Sequence, residues 1–376
     1  MTGFTFQTTP NIRVAPGASA DIGPLFAGLG ARHVLLVTDA GVRRFGLSSA
    51  AEGSLAAAGV AVSVFDAVVA DPPADVVLAA VEAGRAAGAD AVLGLGGGSP
   101  MDTAKLVAYL LGSGDRLEDI YGVDQARGRR LPLVLVPTTA GTGSEVTPIA
   151  IVTTGEAEKK GVVSASLYAD WAVLDAELTL GLPPAVTAAT GVDAMVHAIE
   201  AYTSRHKKNP LSDALAREAL RLLAANLVTA CTRGDDVQAR SDMLLGALLA
   251  GQAFANAPVA AVHALAYPLG GHFHIPHGLS NALMLPHVLA FNLESAGPLY
   301  AELAPLLGGT GADGFRDRLD ALVAATGLPR RLRDVAVPES ALDLLADDAM
   351  KQTRLLVNNP REVSRADARA LYAQAW

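Results

Sequence analysis

The first half of the chain alternates short apolar runs with amphipathic ones. The β-rich runs are HVLLVTD (33–39), VAVSVFDAV (60–68), AVLGLGG (91–97) and LPLVLVPTT (131–139), and the helical runs include PADVVLAAVEAGRAAG (73–88) and MDTAKLVAYLL (101–111). Apolar strands separated by helices are typical of a parallel sheet that is covered on both faces. The pattern therefore predicts an α/β domain.

The pattern changes after LDAELTLGLPP (174–184). Beyond it, alanine and leucine recur at helical spacing and β-branched runs almost disappear. This predicts a boundary near residue 180, between an α/β domain over 1–180 and an all-helical domain over 181–376. No internal repeat or low-complexity linker separates the two, so we expect them to pack tightly with a cleft between them.

Composition excludes several classes of function. The 29 basic residues against 38 acidic ones give a net charge of −9, which argues against a nucleic-acid partner. The single cysteine, Cys231, excludes an internal disulfide and a Cys-rich zinc site, and it fits a reducing, cytoplasmic location. The first residues lack the pattern of a signal peptide, and the most apolar stretch (246–271) is interrupted by polar residues and proline. We therefore expect no membrane span.

A glycine-rich turn, GLGGGSPMDTAK (94–105), follows a strand and opens a helix. Glycines let the backbone approach a ligand, and the N–H groups at a helix start point at an anion, so this arrangement suits a phosphate. Pro100 fits the first helical turn, with Ser99 as the expected cap. The alternative is a tight turn without a ligand, because the sequence matches neither GxGxxG nor a Walker A loop.

A second small-residue loop, PTTAGTGSEVT (137–147), also follows a strand. Its threonines can donate hydrogen bonds to phosphate or ribose oxygens, although such clusters are most often plain turns. Two loops of this kind in one domain favour a dinucleotide over a mononucleotide. Asp39 ends the strand HVLLVTD, where a carboxylate can accept from ribose hydroxyls and repel a 2′-phosphate, which favours NAD over NADP. Its alternative role is that of a helix cap.

The run GVDAMVHAIEAYTS (191–204) places Asp193 and His197 four residues apart in an apolar helical pattern. Side chains at that spacing share a helix face, so they either hydrogen-bond to each other or reach a common ion. Four of the eight histidines fall within 263–277, and His263 and His277 are the expected partners of the pair. One carboxylate and three imidazoles suit Fe²⁺ or Zn²⁺ better than Mg²⁺ or Ca²⁺.

Four motifs, in this order and spacing, resemble the iron-containing (group III) alcohol dehydrogenases, which include lactaldehyde reductase and 1,3-propanediol dehydrogenase. They are GGGSPMDTAK, PTTAGTGSEVT, GVDAMVHAIEAYTS and HALAYPLGGHFHIPHG (263–278). The resemblance covers nearly the whole chain and weakens after about residue 300. It implies a Rossmann-like N-terminal NAD(P)-binding domain and an all-helical catalytic domain, an architecture shared with dehydroquinate synthase. It further implies an interdomain divalent metal, hydride transfer between a metal-bound alkoxide and nicotinamide, a small alcohol or aldehyde substrate, and a homodimer or larger assembly.

The resemblance also assigns residues. The family's metal ligands match Asp193, His197, His263 and His277, and its cofactor-binding residues match Asp39, Gly97, Gly98, Ser99, Asp102, Thr138, Thr139, Thr142 and Lys160. Phe254 and Tyr267 are candidates for the pocket wall. Many relatives carry histidine at position 267, and tyrosine is a poor base near neutral pH, so this chain departs from the family's pattern for a proton relay at Tyr267. Many relatives also have Asn-Pro where this chain has DPP (71–73), a departure that we expect to change only a cofactor contact.

Four alternatives stay open at this point. A metal-dependent hydrolase would use the same ligands but leave both phosphate-type loops unexplained. A lyase of the dehydroquinate synthase kind uses NAD and metal, but it needs several basic residues for its acidic substrate and the helical half shows no obvious set. A maleylacetate reductase-like enzyme is a neighbouring function. A binding protein that has lost catalysis through Tyr267 is the fourth.

Overall fold

The computed structural model describes residues 3–155 and 158–376. Their contacts separate into two compact units. One unit comprises Gln7–Thr139 and Gly143–Leu180, and the other comprises Gly181–Trp376 together with Ala140–Thr142 and the described residues up to Phe6. The division of function between 1–180 and 181–376 stays a prediction.

The first unit carries the strands, as the apolar runs predicted. They are β1 (Asn11–Val14), β2 (His33–Asp39), β3 (Ala61–Val68), β4 (Ala91–Gly96), β5 (Gly122–Val123), β6 (Leu133–Pro137), β7 (Ile149–Thr154), β8 (Glu158–Val163) and β9 (Trp171–Leu174). Its helices are α1 (Ile22–Gly28), α2 (Ala40–Arg44), α3 (Ser49–Ala57), α4 (Ala74–Ala87) and α5 (Gly98–Ser113).

The main sheet has six strands in the order β1-β9-β6-β4-β2-β3, and all of its pairings are parallel. Alternate residues of its central strands enter two separate cores. Leu35 and Val92 pack on one face with α4 and α5, whereas Leu36 and Leu93 pack on the other with α1 and α3. Burial on both faces explains why these strands read as continuous apolar runs. A second, three-stranded sheet, β5-β8-β7, contains the antiparallel pair β7 and β8, which the sequence did not predict.

The second unit consists of helices, as predicted. They are α6 (Pro184–Thr203), α7 (Pro210–Thr232), α8 (Val237–Asn256), α9 (Ala261–Phe273), α10 (His277–Leu303), α11 (Gly311–Ala325), α12 (Leu342–Ala349), α13 (Thr353–Leu356) and α14 (Arg365–Ala375). The combination of a parallel α/β unit and an all-helical unit confirms the predicted fold class.

Local signals set several helix starts in this unit. At α7, the Asn209 side chain accepts from the Ser212 N–H, and Pro210 occupies the first turn, where its missing N–H costs nothing. At α14, Ser364 and Asp367 form a reciprocal capping box. Helix α6 is different, because it is buried on nearly every side. An apolar helix of this kind is a central core element, and any polar side chain on it is desolvated.

The apolar stretch 246–271 folds as the end of α8, a short connection and most of α9. Within the described parts of the chain, no single helix is long and apolar enough to cross a membrane. Only α8 and α9 together reach that length and composition, and the chain bends by 106° between them.

Candidate metal centre and cofactor loops

Four side chains from three helices of the helical unit meet at one point. Asp193 and His197 lie on α6, His263 lies on α9 and His277 is the first residue of α10. One potential ligand atom from each residue lies within 4.8 Å of the corresponding atoms of the other three. Pro276 occupies the N-cap position of α10, and His277 begins the helix.

Aromatic stacking orders the imidazoles. The His197 ring stacks on the Phe254 ring at a centroid distance of 4.3 Å and on the His263 ring at 4.7 Å. The ring of Tyr267 lies 5.8 Å from that of His277 in a tilted arrangement. Both aromatic residues proposed for the pocket wall therefore contact histidines of the cluster. Their role toward a substrate stays a prediction.

Burial sets the charge states of the cluster. Burial would raise the pKa of Asp193, but the three neighbouring histidines and a hydrogen bond from Asn281 outweigh it and hold that pKa below its usual value. Burial lowers the pKa of His197 to about 3. At neutral pH the pair therefore consists of a carboxylate and a neutral imidazole. Both are the forms that bind metal ions.

Two further buried residues contact the cluster, and sequence reasoning missed both. Glu200, on α6, accepts a hydrogen bond from Nδ1 of His263 at 2.7 Å. Asn281, on α10, places its side-chain nitrogen 2.5 Å from Oδ1 of Asp193. Their signals were present in the spacing, because Glu200 follows Asp193 by seven residues and Asn281 follows His277 by four. Both separations keep side chains on one helix face.

The donor set fits a cation. The Asn281 side-chain nitrogen also lies 3.2 Å from Nε2 of His263 and 3.3 Å from Nε2 of His277. A carboxamide has only two N–H groups, so it cannot satisfy three acceptors, whereas a divalent ion can. Unsatisfied lone pairs that converge in a desolvated place are typical of a metal centre.

The other histidines near the cluster in sequence do not take part. His272 pairs with Asp348 at 3.2 Å. His274 is exposed and ends α9 in the left-handed conformation. Neither belongs to the group of converging ligand atoms.

The predicted cofactor residues come mostly from one edge of the α/β unit. Strands β2, β4 and β6 are parallel neighbours, so their carboxyl ends lie side by side. Asp39 ends β2, Gly97 follows β4, and Thr138 and Thr139 follow β6. In open α/β sheets this edge is where ligands bind. Thr142, in contrast, groups with the helical unit.

Backbone geometry at this edge requires glycine. Gly96 has a φ of 153°, and a Cβ there would lie 2.7 Å from the Pro100 ring. The predicted cap at Ser99 is wrong, because α5 begins at Gly98 with Gly97 as its N-cap and no side chain caps it. Ser99 instead accepts at Oγ from the backbone N–H of Asp71 at 3.3 Å. The first N–H groups of α5 are therefore left without a side-chain partner, as a phosphate site requires.

Asp39 fulfils the capping role that the sequence left open. Its Oδ1 accepts from the backbone N–H groups of Gly41 and Val42 at 2.8 and 3.0 Å. Its Oδ2 lies 3.4 Å from the position of a Cβ at Gly96, beside the glycine-rich turn. One oxygen therefore caps α2, and the other faces the turn.

Asp102 hydrogen-bonds to the second small-residue loop and to the strand that follows it. Its Oδ1 accepts from the Ser144 hydroxyl at 2.5 Å, and its Oδ2 accepts from the Ile151 N–H at 2.9 Å. The fully buried Lys105 donates to Ser144 and Thr147 at 2.7 and 3.1 Å. The DTAK segment of the glycine-rich motif therefore fixes the neighbouring loop. Lys160 lies on β8, with its ammonium group 5.6 Å from the centroid of the Tyr121 ring.

A sheet edge of the dinucleotide-binding type and a carboxylate and imidazole cluster are the two elements that a metal-dependent, nucleotide-linked enzyme needs. Family comparison identifies the class more closely. Residues 9–176 match the family described as iron-containing alcohol dehydrogenase, and residues 187–376 match the C-terminal region of the Fe-containing alcohol dehydrogenase family. The chain belongs to the iron-containing alcohol dehydrogenase family.

Individual relatives agree with this assignment. Long-chain-alcohol dehydrogenase 1 of Geobacillus thermodenitrificans is 42% identical, over 98% of this chain and 95% of its own length. A crystal structure of 1,3-propanediol oxidoreductase superposes with a TM-score of 0.96 at 35% identity, covering 100% of both chains. A sulfoacetaldehyde reductase of Bifidobacterium kashiwanohense, solved with NAD⁺, gives a TM-score of 0.90 at 28% identity, over 100% of this chain and 99% of the other. The predicted metal-dependent alcohol dehydrogenase or aldehyde reductase activity is thereby confirmed.

Proposed function

We propose that the chain is an NAD-dependent alcohol dehydrogenase whose divalent ion, Fe²⁺ or Zn²⁺, is held by Asp193, His197, His263 and His277. The single observation that carries this proposal is the convergence of their four ligand atoms within 4.8 Å, on three buried residues and the half-buried His277. The set of one oxygen and three nitrogen donors favours a borderline transition metal over Mg²⁺ or Ca²⁺. The family name supports iron, and the donor set accepts zinc equally well.

A divalent ion bound here supplies Lewis-acid polarisation of an alcohol or carbonyl oxygen. The residues of the chain prepare the site for that chemistry. The Asp193 carboxyl group is already ionised and contributes a negative charge, because its pKa is held low. His197 stays neutral at working pH and is held flat against Phe254. Phe254 and Tyr267 flank the histidines with aromatic ring surface, which favours a small organic substrate.

Tyr267 cannot act as a general base near neutral pH, because an ordinary phenol has a pKa of about 10. Its hydroxyl can still donate a hydrogen bond, and its ring contacts His277. We therefore assign Tyr267 to binding and orienting the substrate.

NAD is the proposed cofactor in preference to NADP. Asp39, Gly97, Gly98, Ser99, Thr138 and Thr139 are its proposed contacts at the sheet edge, with Thr142 and Lys160 as further candidates and Asp102 as the residue that fixes the second loop. The support is electrostatic, since a carboxylate at the end of β2 accepts from ribose hydroxyls and repels a 2′-phosphate. The relative solved with NAD⁺ adds support from outside the chain.

The substrate is proposed to be an alcohol or aldehyde, as in relatives named for long-chain alcohols and 1,3-propanediol. A maleylacetate reductase-like activity is the alternative within the same fold. A homodimer and a cytoplasmic location stay predictions from the sequence.

The test is a chelation and reconstitution assay. Purified protein is stripped of metal, refilled with Fe²⁺ or Zn²⁺, and assayed by NADH absorbance with short and long alcohols and aldehydes. We expect turnover to disappear on chelation and to return with metal. In the variant His277→Ala it should not return, whereas the matched control His272→Ala, whose ring pairs with Asp348 away from the cluster, should behave like the parent. Turnover that is indifferent to chelation would refute the proposal.

A further inference from the structure

Glu200 is a buried carboxylate that the proposed metal set does not include. It lies on α6 two turns after Asp193, and only 4% of its surface is exposed. A charge that is withdrawn from water in this way is costly unless it is fully hydrogen-bonded. Glu200 meets that condition through three donors, all of them at or near the start of α9.

Two of the donors are backbone groups. Oε2 accepts from the Ala260 N–H at 2.9 Å, and Oε1 accepts from the Val262 N–H at 2.7 Å. Helix α9 begins at Ala261, and no side chain of its own caps it. The carboxylate of α6 therefore takes the place of the missing cap, and its negative charge sits at the positive end of the α9 dipole. This contact fixes the helix that carries His263.

The third donor is His263 itself. Nδ1 of its ring lies 2.7 Å from Oε2 of Glu200. A carboxylate with no proton can only accept, so Nδ1 carries the hydrogen and Nε2 keeps its lone pair. Nε2 is the atom that faces the cluster, 3.8 Å from Oδ1 of Asp193. A histidine held in this way by a carboxylate is oriented and made more basic as a metal ligand.

We propose that Glu200 is a positioning residue of the metal centre. It contacts neither the ion nor the substrate. It holds the start of α9 and locks His263 in the tautomer whose Nε2 can bind metal. The inference rests on the proposed metal-binding role of the four residues, and it predicts that metal affinity depends on a fifth residue outside that set.

Glu200→Gln separates this role from simple packing. The amide keeps the shape of the side chain but replaces one oxygen with an NH₂ group. If that group faces His263, the ring must take the other tautomer, and Nε2 then carries a hydrogen and cannot bind metal. If it faces Val262, a backbone N–H loses its acceptor and the start of α9 loosens. A neutral amide also makes the imidazole a weaker ligand in either orientation.

The measurement is the dissociation constant for Zn²⁺, obtained by competition with a chromophoric chelator, together with the thermal unfolding of each metal-free protein. We expect Glu200→Gln to weaken Zn²⁺ binding by about 10- to 100-fold. The visible spectrum of bound Co²⁺ should change as well, because it reports ligand geometry. The matched control is Tyr202→Phe, which removes a hydrogen bond to Glu302 from the same helix but leaves His263 untouched. It should lower thermal stability and keep the parental affinity and spectrum.

The possible results are distinguishable. Parental Zn²⁺ affinity in a folded Glu200→Gln protein would overturn the inference while leaving the proposed function intact. Equal loss of affinity in Glu200→Gln and Tyr202→Phe would also overturn it, because the effect would then follow stability alone. No Zn²⁺ binding by the parent protein would instead overturn the proposed function. If Glu200→Gln does not fold, Glu200→Asp serves in its place, since it keeps the charge but withdraws the carboxylate from Nδ1 of His263, and parental affinity would again overturn the inference.

Discussion

Gly278→Ala should disable the metal centre through a backbone collision. Gly278 follows His277 in the first turn of α10, where this helix packs against α6. A Cβ at this position would lie 2.3 Å from the carbonyl oxygen of Ala189 and 3.3 Å from Cβ of Asp193. The obstacle is backbone, so no side chain can rotate away. The start of α10 must therefore move.

The size of that movement follows from the contact. Cβ atoms essentially never approach another atom more closely than 3.0 Å, so the helix must shift by about 0.7 Å. Nε2 of His277 now lies 3.6 Å from Oδ1 of Asp193. Ligand atoms about 2.1 Å from one tetrahedral ion lie about 3.4 Å apart, so a shift of this size along that line moves the two atoms further from the separation that binding requires. The ion is then held less tightly.

We expect Gly278→Ala to weaken Zn²⁺ binding by more than tenfold and to lower stability by about 1–3 kcal/mol. Chelator competition and thermal unfolding measure the two effects. The matched control is Gly246→Ala, whose Cβ would lie 2.8 Å from the Leu223 side chain between α7 and α8. It should lose stability without losing metal affinity. A folded Gly278→Ala protein with parental affinity would refute the reasoning.

Three further predictions concern the α/β unit. Asp39→Asn keeps an acceptor for the α2 cap but removes the charge, so kcat/KM for NADPH should rise relative to that for NADH. Thermal stability should change little. An unchanged cofactor preference would show that Asp39 does not select the cofactor. Burial raises the pKa of Glu145 to about 7, so the folded protein binds its proton more tightly than the unfolded chain does. The stability that protonated Glu145 contributes is complete below its ordinary pKa and is lost as pH rises toward about 7. Glu145→Gln should therefore gain stability relative to the parent between about pH 4.5 and 7, by up to about 3 kcal/mol in denaturant unfolding, and a pH-independent difference would contradict this. Gly53→Ala, in open space on α3, should raise the melting temperature, since alanine stabilises a helix by about 0.5–1 kcal/mol. Gly23→Ala should lower the melting temperature, because a Cβ there would lie 2.0 Å from a backbone oxygen. If both substitutions shift the melting temperature in the same direction, the reasoning is contradicted.

Periodicity was sufficient to predict the fold class. The four apolar runs became β2, β3, β4 and β6. Strands β2, β4 and β6 are buried on both faces, whereas β3 lies at the edge of the sheet and is largely exposed. Strand β1 was missed because all four of its residues are exposed. The β7 and β8 pair was missed because β7 alternates between buried and partly buried residues and lies in a small separate sheet.

The sequence predicted those residues of the candidate site whose side chains are themselves typical metal ligands. Histidines and an aspartate in apolar surroundings are unusual, and the structure brings all four together. Glu200 was not recognised because two of its three partners, Ala260 and Val262, act through backbone N–H groups that any sequence possesses. The cap at Ser99 failed for a similar reason, because serine is a common cap but the helix begins one residue before it. Contacts of this kind depend on how helices pack and not on which residues they contain.

Anomalous diffraction from crystals grown with Zn²⁺ or Fe²⁺, recorded at the metal absorption edge, tests the central claim most directly. The account predicts one peak within about 2.0–2.2 Å of ligand atoms of Asp193, His197, His263 and His277. It also predicts that Nδ1 of His263 still donates to Glu200. A peak held by other residues, or no peak in metal-saturated crystals, would contradict the account.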